Sequence, residues 1–223
     1  YGGGGNDIIY GGYGLDTIYG GDGNDTIQVG TTNNNDDADE LGTQFVDAGA
    51  GNDHVTGHSD QKVLLGDGDD YFYGSFRYLD AGSGDDIIYA SINDVYRSWN
   101  RGSESKIEFL DGGEGYDILA ITGDYGFKNY GDIPLEDAVI NFEEIRLPGS
   151  HIDETWSLGS QAASSGETLV IDASYNDSWS QSFTYFGEAN ITYKGSDYNL
   201  AGNDTVVLGS GNDNVTLNQG NDV

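Results

Sequence analysis

Asp7, Asp16 and Asp25 recur nine residues apart, each closing a glycine-rich run and each followed two positions later by Ile9, Ile18 or Ile27. The stretches Gly2–Tyr10 (GGGGNDIIY), Gly11–Tyr19 (GGYGLDTIY) and Gly20–Gln28 (GGDGNDTIQ) share the pattern G-G-x-G-x-D-x-U-x, with U apolar. Glycine at the first, second and fourth positions admits left-handed backbone, so the first six residues predict a tight turn whose carbonyls can face inward. The last three residues then extend as a strand. Strand side chains alternate in direction, so the isoleucine of each unit points inside. Two units make a coil of eighteen residues, which stacks Asp7 on Asp25 and leaves Asp16 on the opposite side.

Carboxylates stacked at the strand spacing of roughly 4.8 Å repel one another unless a positive charge lies between them. A hard cation with oxygen ligands suits that place. Calcium accepts carboxylates and main-chain carbonyls in flexible geometry, whereas magnesium keeps its waters in a tight octahedron. Zinc is disfavoured by three histidines and no cysteine. The acidic run Gly30–Glu40 (GTTNNNDDADE) reads as a solvated loop, lacking the sixth-position glycine and twelfth-position glutamate of an EF-hand.

The same pattern returns in weaker form. Ala48–Thr56, Leu65–Tyr73, Ala81–Tyr89 and Gly112–Ala120 keep the second and fourth glycines and place Asp53, Asp70, Asp86 and Asp117 at intervals of 17, 16 and 31 residues. Near the C-terminus Asp204, Asp213 and Asp222 are again nine apart. Coil geometry predicts shared cation sites between Asp7 and Asp25, Asp53 and Asp70, Asp70 and Asp86, Asp86 and Asp117, and Asp204 and Asp222. The intervening turns, Gly57–Leu64 and Gly74–Asp80, lack the motif and carry Lys62 and Arg77, so there a cation of the protein is expected to replace one from solution.

To hold such turns in register the chain must be all-β: a parallel β-roll or right-handed β-helix solenoid with irregular loop insertions, elongated over residues 1–223. At one coil per strand spacing it would be about 50–60 Å long. The pattern divides it into regular repeats at 1–29, an acidic insertion at 30–47, degenerate calcium coils at 48–120 interrupted by an insertion at 91–106, a metal-free section at 121–198, and regular repeats at 199–223. The metal-free section contains Ala138–Leu147, Thr168–Ala173, Gln181–Phe186 and Asn190–Lys194, short apolar runs that fit either continued coils or a small inserted sandwich. Within 91–106, Trp99 stands between Arg97 and Arg101. That trio suits either stacking on a sugar or peptide, or packing against the coil.

The nonapeptides resemble the RTX, or haemolysin-type, calcium-binding repeat family over Gly2–Gln28, Leu41–Ala120 and Asn199–Val223. The resemblance implies several bound calcium ions and a bacterial protein exported by type I secretion. Such a chain stays unfolded in the calcium-poor cytosol and folds outside the cell. It further implies either a non-catalytic structural module of a cell-surface protein, of adhesin or surface-layer type, or the secretion tail of an exoenzyme such as a protease, lipase or epimerase. Repeats at both ends predict a segment of a longer chain, whose neighbouring repeats are its partners alongside calcium and a cell-surface glycan or peptide.

A formal charge of −31 ordinarily opposes folding, so charge and fold are linked through cation binding. Eight Lys and Arg against thirty-nine acids disfavour a nucleic-acid partner, and no apolar run is long enough to insert in a membrane. Catalytic patterns are missing too: there is no G-x-S-x-G elbow and no phosphate-binding G-x-x-x-x-G-K-[ST] loop. His54 and His58 do not share a helical face in this context. Adjacent Glu143 and Glu144 would face opposite ways in a strand, which prevents a carboxylate pair.

Overall fold

The structure, a computed structural model, describes residues 1–30, 44–57, 61–91, 107–122, 132–135, 138–147, 154–164, 166–174, 181–195, 204–217 and 222–223. None of these is helical. Every strand pair is parallel, and the strands fall into three sheets.

The longest sheet runs the length of the protein as ten strands: β2 (Ile8–Tyr10), β4 (Thr26–Gln28), β6 (His54–Gly57), β8 (Tyr71–Gly74), β10 (Ile87–Ser91), β12 (Ile118–Thr122), β15 (Glu144–Arg146), β17 (Thr168–Asp172), β19 (Asn190–Lys194) and β21 (Asn214–Thr216). A second sheet of seven contains β1 (Gly3–Gly4), β3 (Thr17–Asp22), β5 (Gln44–Ala50), β7 (Gln61–Asp67), β9 (Tyr78–Ser83), β11 (Phe109–Asp111) and β14 (Val139–Ile140). In the first half the chain alternates between these two sheets, as a β-roll does. From β13 (Asp132–Pro134) a third sheet opens and continues through β16 (Glu154–Leu158), β18 (Gln181–Tyr185) and β20 (Thr205–Val207).

Alternation fixes which side chains meet inside. In the ten-stranded sheet the register aligns Ile27, Val55, Phe72, Ile88, Leu119, Ile145, Ile171 and Tyr193 in one buried column. The seven-stranded sheet faces it with Ile18, Val46, Val63, Leu79, Leu110 and Val139. Each unit thus contributes an apolar residue that only its neighbours can cover, so stacking is the source of the core.

Coil length changes along the axis. Rungs are separated by 18 residues at Asp7 and Asp25, 17 at Asp53 and Asp70 and 16 at Asp70 and Asp86, by 28 and 31 at Asp25–Asp53 and Asp86–Asp117, and by 26 at Asp117 and Glu143 and 22 at Ile191 and Asp213. Wider coils need fewer rungs for the same chain. Ten strands span about 43 Å at the parallel-strand spacing, shorter than uniform eighteen-residue coils would give. One boundary moves, and one alternative closes. Strand β5 begins at Gln44, so residues 44–47 belong to the second sheet rather than to an insertion. The strands of residues 139–194 do not form a separate sandwich: β15, β17 and β19 extend the ten-stranded sheet.

Candidate metal centres

At the turn that leads into the ten-stranded sheet, six aspartates form one continuous row. The main-chain N–H of Asp7 donates to Asp25 Oδ1 (2.8 Å), Asp25 to Asp53 (2.7 Å), Asp53 to Asp70 (2.7 Å), Asp70 to Asp86 (2.7 Å) and Asp86 to Asp117 (2.9 Å). Asp25 and Asp53 are therefore stacked as well, across residues 31–43, a pairing that their 28-residue separation conceals in the sequence.

In every member of the row the other carboxylate oxygen, Oδ2, is buried and accepts no hydrogen bond. Burial pushes the carboxyls up: Asp53 to about 6, Asp70 to about 8, and Asp86 and Asp117 to about 7. The hydrogen bond from the preceding coil partly offsets that rise, and neighbouring aspartates reinforce it. A buried, ionised carboxylate with an idle oxygen lacks a positive partner.

The surroundings of those oxygens suit a hard cation. A Cβ placed on Gly20 would lie 2.2 Å from the Ala48 carbonyl and 2.5 Å from Asp25 Oδ2, and one on Gly2 would lie 2.6 Å from both the Gly20 carbonyl and Asp7 Oδ2. Glycine keeps those oxygens convergent. Among the described residues no three His, Asp or Glu side chains gather into a ready cluster. The rungs instead offer carboxylates in pairs, with main-chain carbonyls to complete an oxygen shell of the calcium type. Asp7, Asp25, Asp53, Asp70, Asp86 and Asp117 would hold the ions, and bound calcium supplies the charge that the row lacks.

The opposite side is built differently. Asp16 is followed in register by Gln44, Gln61, Arg77 and Glu108. Gln44 Nε2 donates to the carbonyls of Gly14 (2.7 Å) and Gly30 (3.2 Å), and Gln61 Nε2 donates to Gln44 Oε1 (3.0 Å). Buried amides take up turn oxygens that a cation would otherwise use. The expected roles of Lys62 and Arg77 are corrected accordingly. Lys62 points outward over the Tyr78 ring, with its ammonium 4.7 Å from the ring centre. Arg77 does stand in the row and pairs with Glu108, but the neutral glutamines precede it. Asp16 keeps a buried Oδ2 without a hydrogen bond, yet has no aspartate stacked on it.

Near the C-terminus, Asp204 N–H donates to Asp222 Oδ1 at 3.0 Å, so these two pair across eighteen residues. Asp213 lies on the ten-stranded side, where its Oδ1 accepts from Ile191 N–H at 3.0 Å. Arg97, Trp99, Arg101 and His58 lie outside the described residues. His54 is exposed and meets the edge of Tyr71, while Glu143 and Glu144 separate, one accepting from Asp117 N–H and the other from Arg146 and Tyr116.

A second ladder runs beside the aspartates. Asn24, Asn52, Asp69, Asp85 and Tyr116 each donate a main-chain N–H to the side-chain oxygen of Asn6, Asn24, Asn52, Asp69 and Asp85 respectively, at 2.9–3.1 Å. These bonds run in the opposite axial direction to those of the first ladder, so each turn is held from both neighbours. The signal was present in the sequence as the residue before each motif aspartate.

The calcium-binding nonapeptide family model of the RTX type matches the chain in four copies, at residues 1–35, 41–61, 78–94 and 200–223. These are RTX calcium-binding repeats. Asp7, Asp25, Asp53 and Asp86 of the aspartate row fall inside the matched stretches, and Asp70 and Asp117 continue the same hydrogen-bonded ladder outside them. As RTX repeats the matched stretches make the segment a calcium-binding module of a secreted protein, with an extracellular location. No curated protein and no solved structure matches the chain.

Proposed function

We propose that this segment is a non-catalytic, calcium-set structural module of a large bacterial cell-surface protein, of adhesin or surface-layer type. The observation that carries the reading is the unbroken ten-stranded sheet, which passes from calcium turns into motif-free coils without losing register. A stack of this kind suits a spacer that holds other parts of a protein at a distance. Exported unfolded by type I secretion, it would gain its charge compensation only where calcium is abundant, so folding and location are coupled. Its partners are calcium and further coils of the same parent chain.

Deleting residues 1–223 from the parent protein tests the role. Loss of cell attachment or surface assembly, with any secreted hydrolase activity unchanged, is the expected result. Loss of a protease, lipase or epimerase activity with attachment intact would instead identify an exoenzyme tail.

A further inference from the structure

Beyond the last motif of the first half, the chain makes a turn that no repeat describes. Strand register aligns Asp111 with Ile140 and Ile118 with Glu144, so the six residues Gly112–Asp117 are matched in the next coil by only three: Asn141, Phe142 and Glu143. Both ends of the shorter turn nevertheless keep their places. Asn141 has φ of 55°, and among the described residues it is the one non-glycine with positive φ. Its carbonyl faces Gly112, where a Cβ would lie 2.1 Å from that oxygen and 3.0 Å from Asp117 Oδ2.

This reproduces the convergence seen at Gly20, where the next coil's carbonyl and the aspartate Oδ2 also meet. At the other end Glu143 Oε2 accepts the Asp117 N–H at 2.7 Å, the bond that Asp117 itself accepts from Asp86 at 2.9 Å. One extra methylene lets glutamate reach the rung from a turn three residues shorter. Asp117 is fully buried, and its Oδ2 accepts no hydrogen bond.

We propose that the Asn141–Glu143 turn completes one further calcium site with Asp117, closing the row one coil beyond the repeats. The donors are Asp117 Oδ2, the Glu143 carboxylate and the Asn141 carbonyl, and the ligand is a hard divalent cation. The row stops there because Leu169 and Ile191, both buried and apolar, take the next rungs. This site rests on the reading of the aspartate row as calcium-binding.

Calcium bound per chain, measured by atomic emission after equilibrium dialysis of the whole segment against calcium, tests it. Glu143→Gln keeps an oxygen for the Asp117 N–H but removes the charge, and it should lower the count by one. Asp117→Asn should lower it by two, and Glu144→Gln, on the outward face, by none. An unchanged count in Glu143→Gln, or a loss of only one in Asp117→Asn, overturns the proposal while leaving the upstream row intact. A wild-type chain that binds no calcium overturns the underlying reading as well. A measurement on unaltered protein guards against misfolded variants: anomalous scattering from terbium-soaked crystals should show a peak between Asp117 and Glu143. Peaks along Asp53 to Asp117 with none beyond would refute it.

Discussion

Coils 44–91 and coils 139–194 share one sheet but are held closed by different means. In the first, the turns that lead into the ten-stranded sheet are tight glycine loops and the interior is mainly aliphatic, Val46, Val55, Val63, Leu79 and Ile88, with one aromatic pair, Phe72 and Phe76. A coil of 16 or 17 residues has little room for more. What it cannot supply as apolar burial it would draw from ions between buried carboxylates. In the second, rungs are 22 or 26 residues apart, and the interior is filled by Trp156, Phe183, Tyr185, Tyr193 and Phe142, each almost wholly buried. There the turn positions that held aspartate hold Leu169 and Ile191. The comparison teaches that metal and aromatic volume are alternative answers to one problem, that of closing a stack of parallel strands.

The largest expected effect is that of removing calcium. Each site that binds only the folded chain adds about 2.7 kcal/mol at a hundredfold excess over its Kd, so a row of several sites outweighs the stability of a typical domain. Hydrogen exchange in excess chelator should show residues 44–91 exchanging like an unfolded chain while β15, β17 and β19 keep protection. Simultaneous loss of protection in both regions would break the comparison and make the stack one cooperative unit.

Next in size is Asp70→Asn. Asp70 is shared by the rungs to Asp53 and Asp86, so the variant should lose two ions, or about 5 kcal/mol at a hundredfold excess of calcium over Kd. Asparagine still accepts the Asp53 N–H, so the ladder itself survives. The sign reverses as calcium falls. Burial holds the metal-free Asp70 carboxyl at about 8, so near neutral pH the wild type must bury either an acquired proton or a bare charge, and the amide avoids both. Unfolding midpoints plotted against calcium concentration should therefore cross for variant and wild type. Parallel curves would show that Asp70 holds no ion.

Trp156→Ala probes the other region and should cost about 3–5 kcal/mol at any calcium concentration. Its register partner Phe183 would face the cavity left behind. Calorimetry at low and high calcium should give the same loss, and a loss confined to high calcium would mean that the wide coils also depend on ions.

Much of this division could be read from the chain alone. A nine-residue period with aspartate at a fixed place determines a turn, a strand and an inward side chain, so parallel stacking and calcium followed together. What escaped the sequence depends on register. Asp25 and Asp53 look too far apart to stack until Thr26 and His54 are aligned. Gln44 and Gln61 become the successors of Asp16 only once Thr17, Phe45 and Lys62 are aligned. Glu143 is invisible because its turn has half the usual length. Side chains whose role is set by the neighbouring coil, and not by their own unit, carry no local signature.

The smallest effect expected is at Gln61, and it separates the two sides of the roll. Gln61 is completely buried and donates to Gln44 Oε1, and a Cβ on Gly57 would approach both Gln61 amide atoms to 2.7 Å, so the chain keeps glycine there to admit the amide. Gln61→Ala leaves Gln44 Oε1 without that donor in a dry interior, at a cost of about 1–3 kcal/mol. Because the amide stands where the opposite row would have an ion, the loss should be uncoupled from calcium. The slope of stability against the logarithm of calcium concentration counts ions released on unfolding. It should fall by two in Asp70→Asn and stay unchanged in Gln61→Ala. A reduced slope in Gln61→Ala would place a calcium ion among the glutamines and erase the distinction between the two rows.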